Sequence, residues 1–261
     1  MGLRQFGLCR FVATALVAGF LCSAEVLASS ITYTVGPVLN GPINNNPVAA
    51  EADFVLTSTP SGPNFNYTMT IDLKNTLVMA NGDSLAPNQF LSQLDFNLSG
   101  ATIGPVNVAS QTAPNGSITY NAVGSPPIYG TINPAWTFPA GPTGYTFQLN
   151  GILGRTKQMI APKVAPDGNV FFNNGTGNFN PYIYQDAFFT LNFTAATADI
   201  TVSGAAFNFG TQQGEFTGTG TPNTVPTDTP EIDPASATSA FACLAMGVAL
   251  INQRRGKKSA V

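Results

Sequence analysis

The chain contains no histidine, and its three cysteines all lie close to its ends. They are Cys9, Cys22 and Cys243, so residues 29–225 can form no disulfide. Histidine is the commonest general base and the commonest metal ligand in proteins. A serine–histidine–aspartate triad, a cysteine nucleophile and a cysteine-ligated metal are therefore excluded from this central region.

Charge is also scarce: only 9% of the residues are charged. Residues 29–225 contain nine acidic side chains but only four cations, a net charge of −5. The four cations are Lys74, Arg155, Lys157 and Lys163. A nucleic-acid-binding domain needs a basic face, and we therefore exclude nucleic acid as a partner.

Residues 1–28 have the pattern of a secretory signal peptide. Arg4 and Arg10 make its start positive, and Phe11–Leu21 is an apolar core too short for a bilayer span of about 20 residues. Small residues precede a cleavage point between Ala28 and Ser29. The sequence predicts an N-terminal signal helix that is removed by a signal peptidase.

The other end of the chain combines a polar motif, an apolar run and a basic cluster. Residues 237–251 form an uncharged run of fifteen residues, which predicts a single transmembrane helix. The basic cluster that follows fits the cytoplasmic side of a membrane. The motif is Pro230, Glu231, Ile232, Asp233, Pro234, Ala235 and Ser236, and the cluster is Arg254, Arg255, Lys257 and Lys258.

This tail, residues 230–258, resembles the PEP-CTERM sorting signal of exported bacterial proteins. The resemblance implies recognition and cleavage by an exosortase-type processing enzyme, and often an association with extracellular polysaccharide. The motif differs from the common Val-Pro-Glu-Pro form, because Ile232 and Asp233 separate Glu231 from Pro234. The resemblance also implies transient anchoring in the inner membrane, followed by release at the cell surface.

Between the two ends, apolar and polar residues alternate over many short segments. The strongest runs are 65–74, 90–98, 145–149, 189–193 and 200–202, and weaker ones are 31–35, 53–57, 106–109, 118–120, 136–138, 207–209 and 215–219. Alternation with period two is typical of strands with one buried face. A sustained helical period is absent, and residues 84–94 allow one short helix at best.

Glycine, proline, asparagine and aspartate separate these runs. We therefore predict an all-β fold for residues 29–220, an antiparallel and jelly-roll-like β-sandwich. Residues 221–229 are rich in threonine and proline, which predicts an extended linker before the tail.

Carboxylates are the remaining candidates for catalysis. A glycoside hydrolase needs two of them on either side of the scissile bond. The candidates are Asp53, Asp72, Asp95, Asp186 and Glu215. Most occupy the polar positions of alternating strands, where an acidic side chain is expected to face solvent.

Calcium and sugar are the other ligands that the residue types suggest. The loops 81–84 and 167–169 carry the oxygen ligands that Ca²⁺ prefers, although plain turns use the same residues. Aromatic side chains near loops could stack on sugar rings, although most aromatic residues in β-proteins are in the core. The candidates for stacking are Trp136, Tyr129, Tyr182 and Tyr184, with Tyr120 beside them.

These observations favour an exported protein of the cell surface or extracellular matrix, non-enzymatic, with a structural or adhesive role and no required cofactor. A carbohydrate-binding module is the alternative, and a carboxylate-dependent glycoside hydrolase is a third hypothesis.

Overall fold

The computed structural model describes residues 27–39, 46–80, 83–100, 102–120, 126–138, 146–152, 158–165, 170–172, 179–212 and 215–223. Within these ranges the chain forms eighteen β-strands and no α-helix. In chain order the strands are β1 (Leu27–Leu39), β2 (Pro47–Ser61), β3 (Asn64–Asn75), β4 (Val78–Met79), β5 (Ser84–Leu85), β6 (Leu91–Ser99), β7 (Asn107–Thr112), β8 (Ser117–Thr119), β9 (Ile128–Gly130), β10 (Thr146–Asn150), β11 (Ile160–Ala161), β12 (Lys163–Val164), β13 (Phe171–Phe172), β14 (Tyr182–Tyr184), β15 (Asp186–Ala195), β16 (Thr201–Phe209), β17 (Phe216–Thr219) and β18 (Thr221–Asn223).

Two large sheets contain most of these strands. The six-stranded sheet has the order β18-β1-β2-β3-β15-β7, and all of its pairs are antiparallel. The eight-stranded sheet has the order β17-β16-β6-β11-β14-β8-β9, with β10 also paired to β6. The prediction of an all-β fold with antiparallel sheets is confirmed, and the arrangement is consistent with a β-sandwich.

The main core lies between the two sheets. Phe54, Ile71 and Phe189 enter it from the six-stranded sheet, and Phe96 and Phe207 from the eight-stranded sheet, each at most 1% exposed. Phe54 and Phe96 meet across the interface with ring centroids 5.4 Å apart. The alternating pattern of the long strands therefore arises because one face of each strand is buried against the facing sheet.

A second core covers the outer side of the eight-stranded sheet at β14. Tyr182 belongs to this second core, where it stacks on Phe90 with centroids 4.1 Å apart, whereas its neighbour Ile183 belongs to the main core. Adjacent strand residues point to opposite faces. This part of the sheet is therefore buried on both faces, which explains why β14 shows no alternation.

Three short pairs are parallel, in contrast to the antiparallel prediction: β11 with β14, β4 with β12, and β5 with β13. Each pairs only two residues on each strand. Parallel strands need long connections. Period-two patterning cannot identify strands this short.

Other element boundaries differ from the predictions. The only helical element in the segment 84–94 is a three-residue 3-10 turn, Pro87–Gln89, because β6 already begins at Leu91. The predicted strand at 136–138 is reduced to one isolated bridge from Thr137 to Asn150. The first three residues of the predicted linker form β18, paired with β1.

The predicted signal peptide lies largely outside the described residues, and the predicted transmembrane helix lies entirely outside them. No helix within the described ranges is long and apolar enough to span a bilayer. The sorting motif 230–236, the run 237–251 and the basic cluster Arg254, Arg255, Lys257 and Lys258 all lie outside those ranges. Ala28 and Ser29 are described, and they pair in β1 with Thr57 and Leu56 of β2.

Candidate functional site

The outer face of the six-stranded sheet is covered mainly by hydroxyl and amide side chains. Along each strand these residues alternate with the residues that fill the core, so they lie on the other face of the sheet. They form continuous cross-strand rows, for example Thr57, Thr68 and Asn192. Half-buried or exposed members of this face include Thr32, Thr34, Thr57, Thr59, Asn66, Thr68, Thr70, Asn107, Ser110, Thr112, Thr190, Asn192 and Thr194.

One aromatic ring interrupts this polar face. Phe188 on β15 is 39% exposed, and it lies between Asp72 on β3 and Thr112 on β7. Its neighbour Phe189 is 1% exposed and packs on Trp136, with ring centroids 5.3 Å apart. Because adjacent strand residues face opposite sides, burial of Phe189 places Phe188 on the solvent side.

A groove of about 390 Å³ opens beside this ring. One wall is the end of β7 and the turn that follows, residues 111–116, and the other wall is the segment after β9, residues 130–133. Thr112 belongs both to the groove and to the cross-strand pair with Phe188. The aromatic ring is therefore next to the groove, and the groove is called the Phe188 groove after it.

The described residues that line the Phe188 groove carry no charge. Its polar side chains are Gln111, Thr112, Asn115, Thr131 and Asn133, and the other positions are small or apolar. At the rim, the Asn115 amide donates a hydrogen bond of 2.9 Å to Oδ1 of Asp186. The groove can therefore offer hydrogen-bond donors and acceptors to a ligand without an ionic contact.

Glutamine side chains hold residues 133–136, which continue the second wall, in place. Gln111 Nε2 donates to the carbonyl oxygen of Trp136, and the amide N–H of Trp136 donates to Gln111 Oε1, both over 2.9 Å. Gln158 accepts from the backbone of Ala135 and donates to the carbonyl oxygen of Asn133 over 3.2 Å. These contacts order a segment that lacks strand partners over most of its length.

Gly116 brings the two walls of the groove together. Its φ is +70°, and a Cβ at this position would lie 2.1 Å from the carbonyl oxygen of Gly130. Both the backbone conformation and the close approach require glycine here.

A charged cluster lies on the β3 side of Phe188. The ammonium of Lys74 is 2.7 Å from Glu51, 2.6 Å from Asp53 and 3.1 Å from Asp72. Burial alone would lower the pKa of Lys74, but the hydrogen bonds to the three carboxylates outweigh it and raise that pKa above its usual value. One cation is therefore shared by three carboxylates, and the cluster keeps a net negative charge when all three are ionised.

The carboxyl groups in this cluster differ in their electrostatics. Burial raises the pKa of Asp72, whose Oδ1 is buried without a hydrogen-bond partner, and the hydrogen bond to Lys74 offsets this only in part. Burial also acts to raise the pKa of Asp53, but hydrogen bonds from Lys74 and Thr32 outweigh it and hold that pKa below its usual value. Burial raises the pKa of Asp186, against the opposing bond from Asn115.

The remaining candidate acids are engaged elsewhere. Asp95 accepts hydrogen bonds of 2.8–3.0 Å from the amides of Gln93, Gln148 and Asn208 on the outer face of the eight-stranded sheet. Glu215 accepts one of 2.9 Å from the backbone N–H of Thr211.

Asp53 and Asp72 are cross-strand neighbours, but they lie on a sheet face with Lys74 between them and do not line the groove.

Two of the aromatic residues proposed for sugar stacking are in the core. Trp136 is 3% exposed and Tyr182 is fully buried, so neither ring offers a face to a ligand, which corrects the expectation for both. Trp136 packs against Gly151, where a Cβ would lie 2.6 Å from the indole ring. The neighbouring Tyr120 is also buried, at 4% exposure.

The other two tyrosines reach the surface. Tyr129 is 54% exposed and meets the half-buried Tyr184 edge to face, with centroids 5.1 Å apart. Burial, and secondarily Tyr184, raises the pKa of Tyr129 to about 12. Tyr129 pairs with Ile118, whereas Gly130 of the groove wall pairs with Ser117. Tyr129 therefore projects from the opposite face of β9 and away from the groove.

Only one of the two predicted calcium-binding loops lies partly within the described residues. Oδ2 of Asp83 accepts a hydrogen bond of 2.6 Å from the backbone N–H of Ala80, which closes a turn. Asn81, Gly82 and the loop 167–169 lie outside the described residues. Within the described ranges, acidic side chains nowhere form a group of three or more with the geometry to hold a metal ion.

No family model, curated protein or solved structure matches this chain. Its function must therefore be inferred from its own residues. Phe188 is the surface residue that sequence reasoning missed. The adjacent pair Phe188–Phe189 in an alternating strand was the available signal, since only one of two neighbours can face the core.

Proposed function

We propose that this protein is an exported, non-enzymatic component of the cell surface or extracellular matrix with a structural or adhesive role. The observation that carries the proposal is that four carboxylates make structural contacts on sheet faces. Lys74 pairs with Glu51, Asp53 and Asp72. Asp95 accepts hydrogen bonds from side-chain amides. The hydroxyl- and amide-covered sheet suits a protein that stays soluble at low charge.

The two ends of the chain support delivery to the surface. A signal peptidase would cleave between Ala28 and Ser29, and residues 237–251 would hold the protein transiently in the inner membrane. An exosortase-type enzyme would then recognise the PEP-CTERM-like motif at 230–236. In this proposal the signal peptide and the span at 237–251 are helical, and the β-domain is jelly-roll-like, supported by the mixing of early and late strands in both sheets.

Cell fractionation with variants of the motif tests this delivery. Wild-type protein is expected in the surface or extracellular fraction of a bacterium that has an exosortase, and Glu231→Ala is expected to accumulate in the membrane fraction. Ser236→Thr, a mild change in the same motif, is the matched control and should be processed normally. Equal distribution of wild type and Glu231→Ala would contradict the proposed sorting role.

Carbohydrate binding is the second candidate function. The exposed ring of Phe188 beside an uncharged groove favours it. Glycoside hydrolysis is the weakest candidate, and Asp53→Asn tests it. A hydrolytic activity that this substitution abolishes would overturn the non-enzymatic role.

A further inference from the structure

We propose that the Phe188 groove binds a neutral polysaccharide chain, with one sugar ring stacked on Phe188 and the next unit hydrogen-bonded in the groove. This inference rests on the proposed adhesive role and gives that role a site and a ligand class. Phe188, Thr112, Thr131 and Asn133 make the contacts.

The first argument is the position of the ring. Phe188 is 39% exposed on a sheet face whose other members are mostly hydroxyl and amide side chains, with Thr112 beside it. Burial of an exposed apolar ring by a ligand is favourable, and a sugar ring offers an apolar C–H face of matching shape. Phe189, and not Phe188, fills the core beneath this position.

The second argument is the chemistry of the groove. Thr112, Thr131 and Asn133 are exposed, and none of the described residues that line the groove is charged. Hydroxyl and amide groups both donate and accept hydrogen bonds, as sugar hydroxyls do. Asp186 at the rim accepts a hydrogen bond from Asn115, and Asp72 beside Phe188 is paired with Lys74. A neutral polyhydroxylated ligand is therefore better matched than an ionic one.

The third argument is that the groove is already formed. Gln111 and Gln158 fix residues 133–136, which continue the second wall, through four hydrogen bonds, and Gly116 sets the separation of the two walls. A preorganised site avoids the entropic cost of ordering loops on binding. The volume of about 390 Å³ also falls within the range of small-molecule sites.

Affinity electrophoresis of the full chain in a non-ionic detergent tests the proposal. The gels contain a soluble neutral polysaccharide (dextran, galactomannan, xyloglucan or hydroxyethyl cellulose) or the anionic polymer alginate. At least one neutral polymer is expected to retard the protein. Phe188→Ala should weaken that binding about tenfold or more, and Phe188→Tyr, which keeps a ring, should retain it.

Two further variants control the measurement. Asn133→Ala is expected to weaken binding from the opposite wall. Tyr129→Ala removes a more exposed ring on the other face of β9 and should bind like wild type. Normal migration in all neutral gels, retardation by alginate alone, or equal binding by wild type and Phe188→Ala would each overturn the site.

The site and the proposed delivery can fail separately. The gel measures binding by the full chain, whether or not the cell exports it. Phe188→Ala is expected to reach the surface in the same amount as wild type, because the sorting motif is intact. Loss of export by Glu231→Ala with unchanged binding would separate the two functions.

Discussion

The side-chain amide of Gln111 pairs with the backbone of Trp136 in the way that a neighbouring strand would. It donates to the carbonyl oxygen and accepts from the N–H, both over 2.9 Å. Asn180 does the same for Tyr120, with bonds of 3.2 and 3.0 Å. Buried or half-buried amides thus satisfy backbone groups in irregular segments of a chain whose centre has no disulfide.

Gln111→Ala is expected to destabilise the protein by about 2 kcal/mol, because it leaves the N–H and C=O of buried Trp136 without partners. Ser110→Ala, on the same strand and facing solvent, is the control and should stay within about 0.5 kcal/mol of wild type. Urea unfolding followed by Trp136 fluorescence measures both. Equal stability of the two variants would contradict the role given to Gln111.

Lys74→Met is expected to destabilise the fold by about 1–2 kcal/mol at neutral pH, since three neighbouring carboxylates lose their shared cation. The raised pKa of Lys74 means that its contribution is present below its unfolded-state pKa of about 10 and is lost as the pH rises through the higher folded-state value. The variant should recover relative to wild type at acidic pH, where the carboxylates become protonated. Chemical unfolding at pH 7 and pH 4 provides the comparison, and a deficit independent of pH would contradict the expectation.

Asp72→Asn and Asp53→Asn are expected to shift stability in opposite directions at pH 7. The pKa of Asp53 is lowered in the folded state, so its ionised form stabilises the fold above its unfolded-state pKa of about 4, and that stability is lost as the pH falls through the folded-state value. The pKa of Asp72 is raised, so ionisation of Asp72 costs stability at neutral pH. Asp72→Asn should therefore be neutral or stabilising, and Asp53→Asn destabilising.

Thermal unfolding of both variants between pH 3 and pH 7 tests the pair. The difference between them should shrink as the pH falls below about 4. Asp72, whose pKa is raised, is protonated first, and the stabilisation by ionised Asp53 is lost as the pH approaches its lowered folded-state pKa. Equal stability of the two variants at pH 7 would contradict the expected difference between Asp53 and Asp72.

Gly116→Ala is expected to cost more than about 2 kcal/mol and to disturb the groove. The new Cβ would meet the carbonyl oxygen of Gly130 at 2.1 Å in addition to the strain of a φ of +70°. Gly62→Ala is the matched control, because Gly62 has a φ of +61° but no atom within 4 Å of its Cβ position. Its cost should be about 1 kcal/mol, the strain alone. Similar unfolding free energies for the two would contradict the close contact between the groove walls.

Much of the fold could be predicted from the period-two pattern. The run 65–74 lies within β3, and the runs 200–202 and 207–209 merge into β16, because each long strand has one face on the core. Strands such as β4 and β13 could not be predicted, since two residues carry no period. β14 shows no alternation for a different reason: the main core and the second core bury both of its faces.

The candidate site could be predicted only in part. Trp136 and Tyr182 were predicted to be exposed because of their residue type and their position near loops. Both are in the core, because burial depends on long-range packing. Phe188 could have been found from its adjacency to Phe189. The groove depends on the pairing of Gln111 with Trp136, a contact between residues 25 positions apart that no local pattern reveals.

The intact mass of the protein recovered from the extracellular fraction tests the proposed export and sorting most directly. The prediction is a chain that begins at Ser29 and ends before residue 237, so that both the signal peptide and the transmembrane segment are absent. A chain that keeps both ends, or one found only in the cytoplasm, would contradict it.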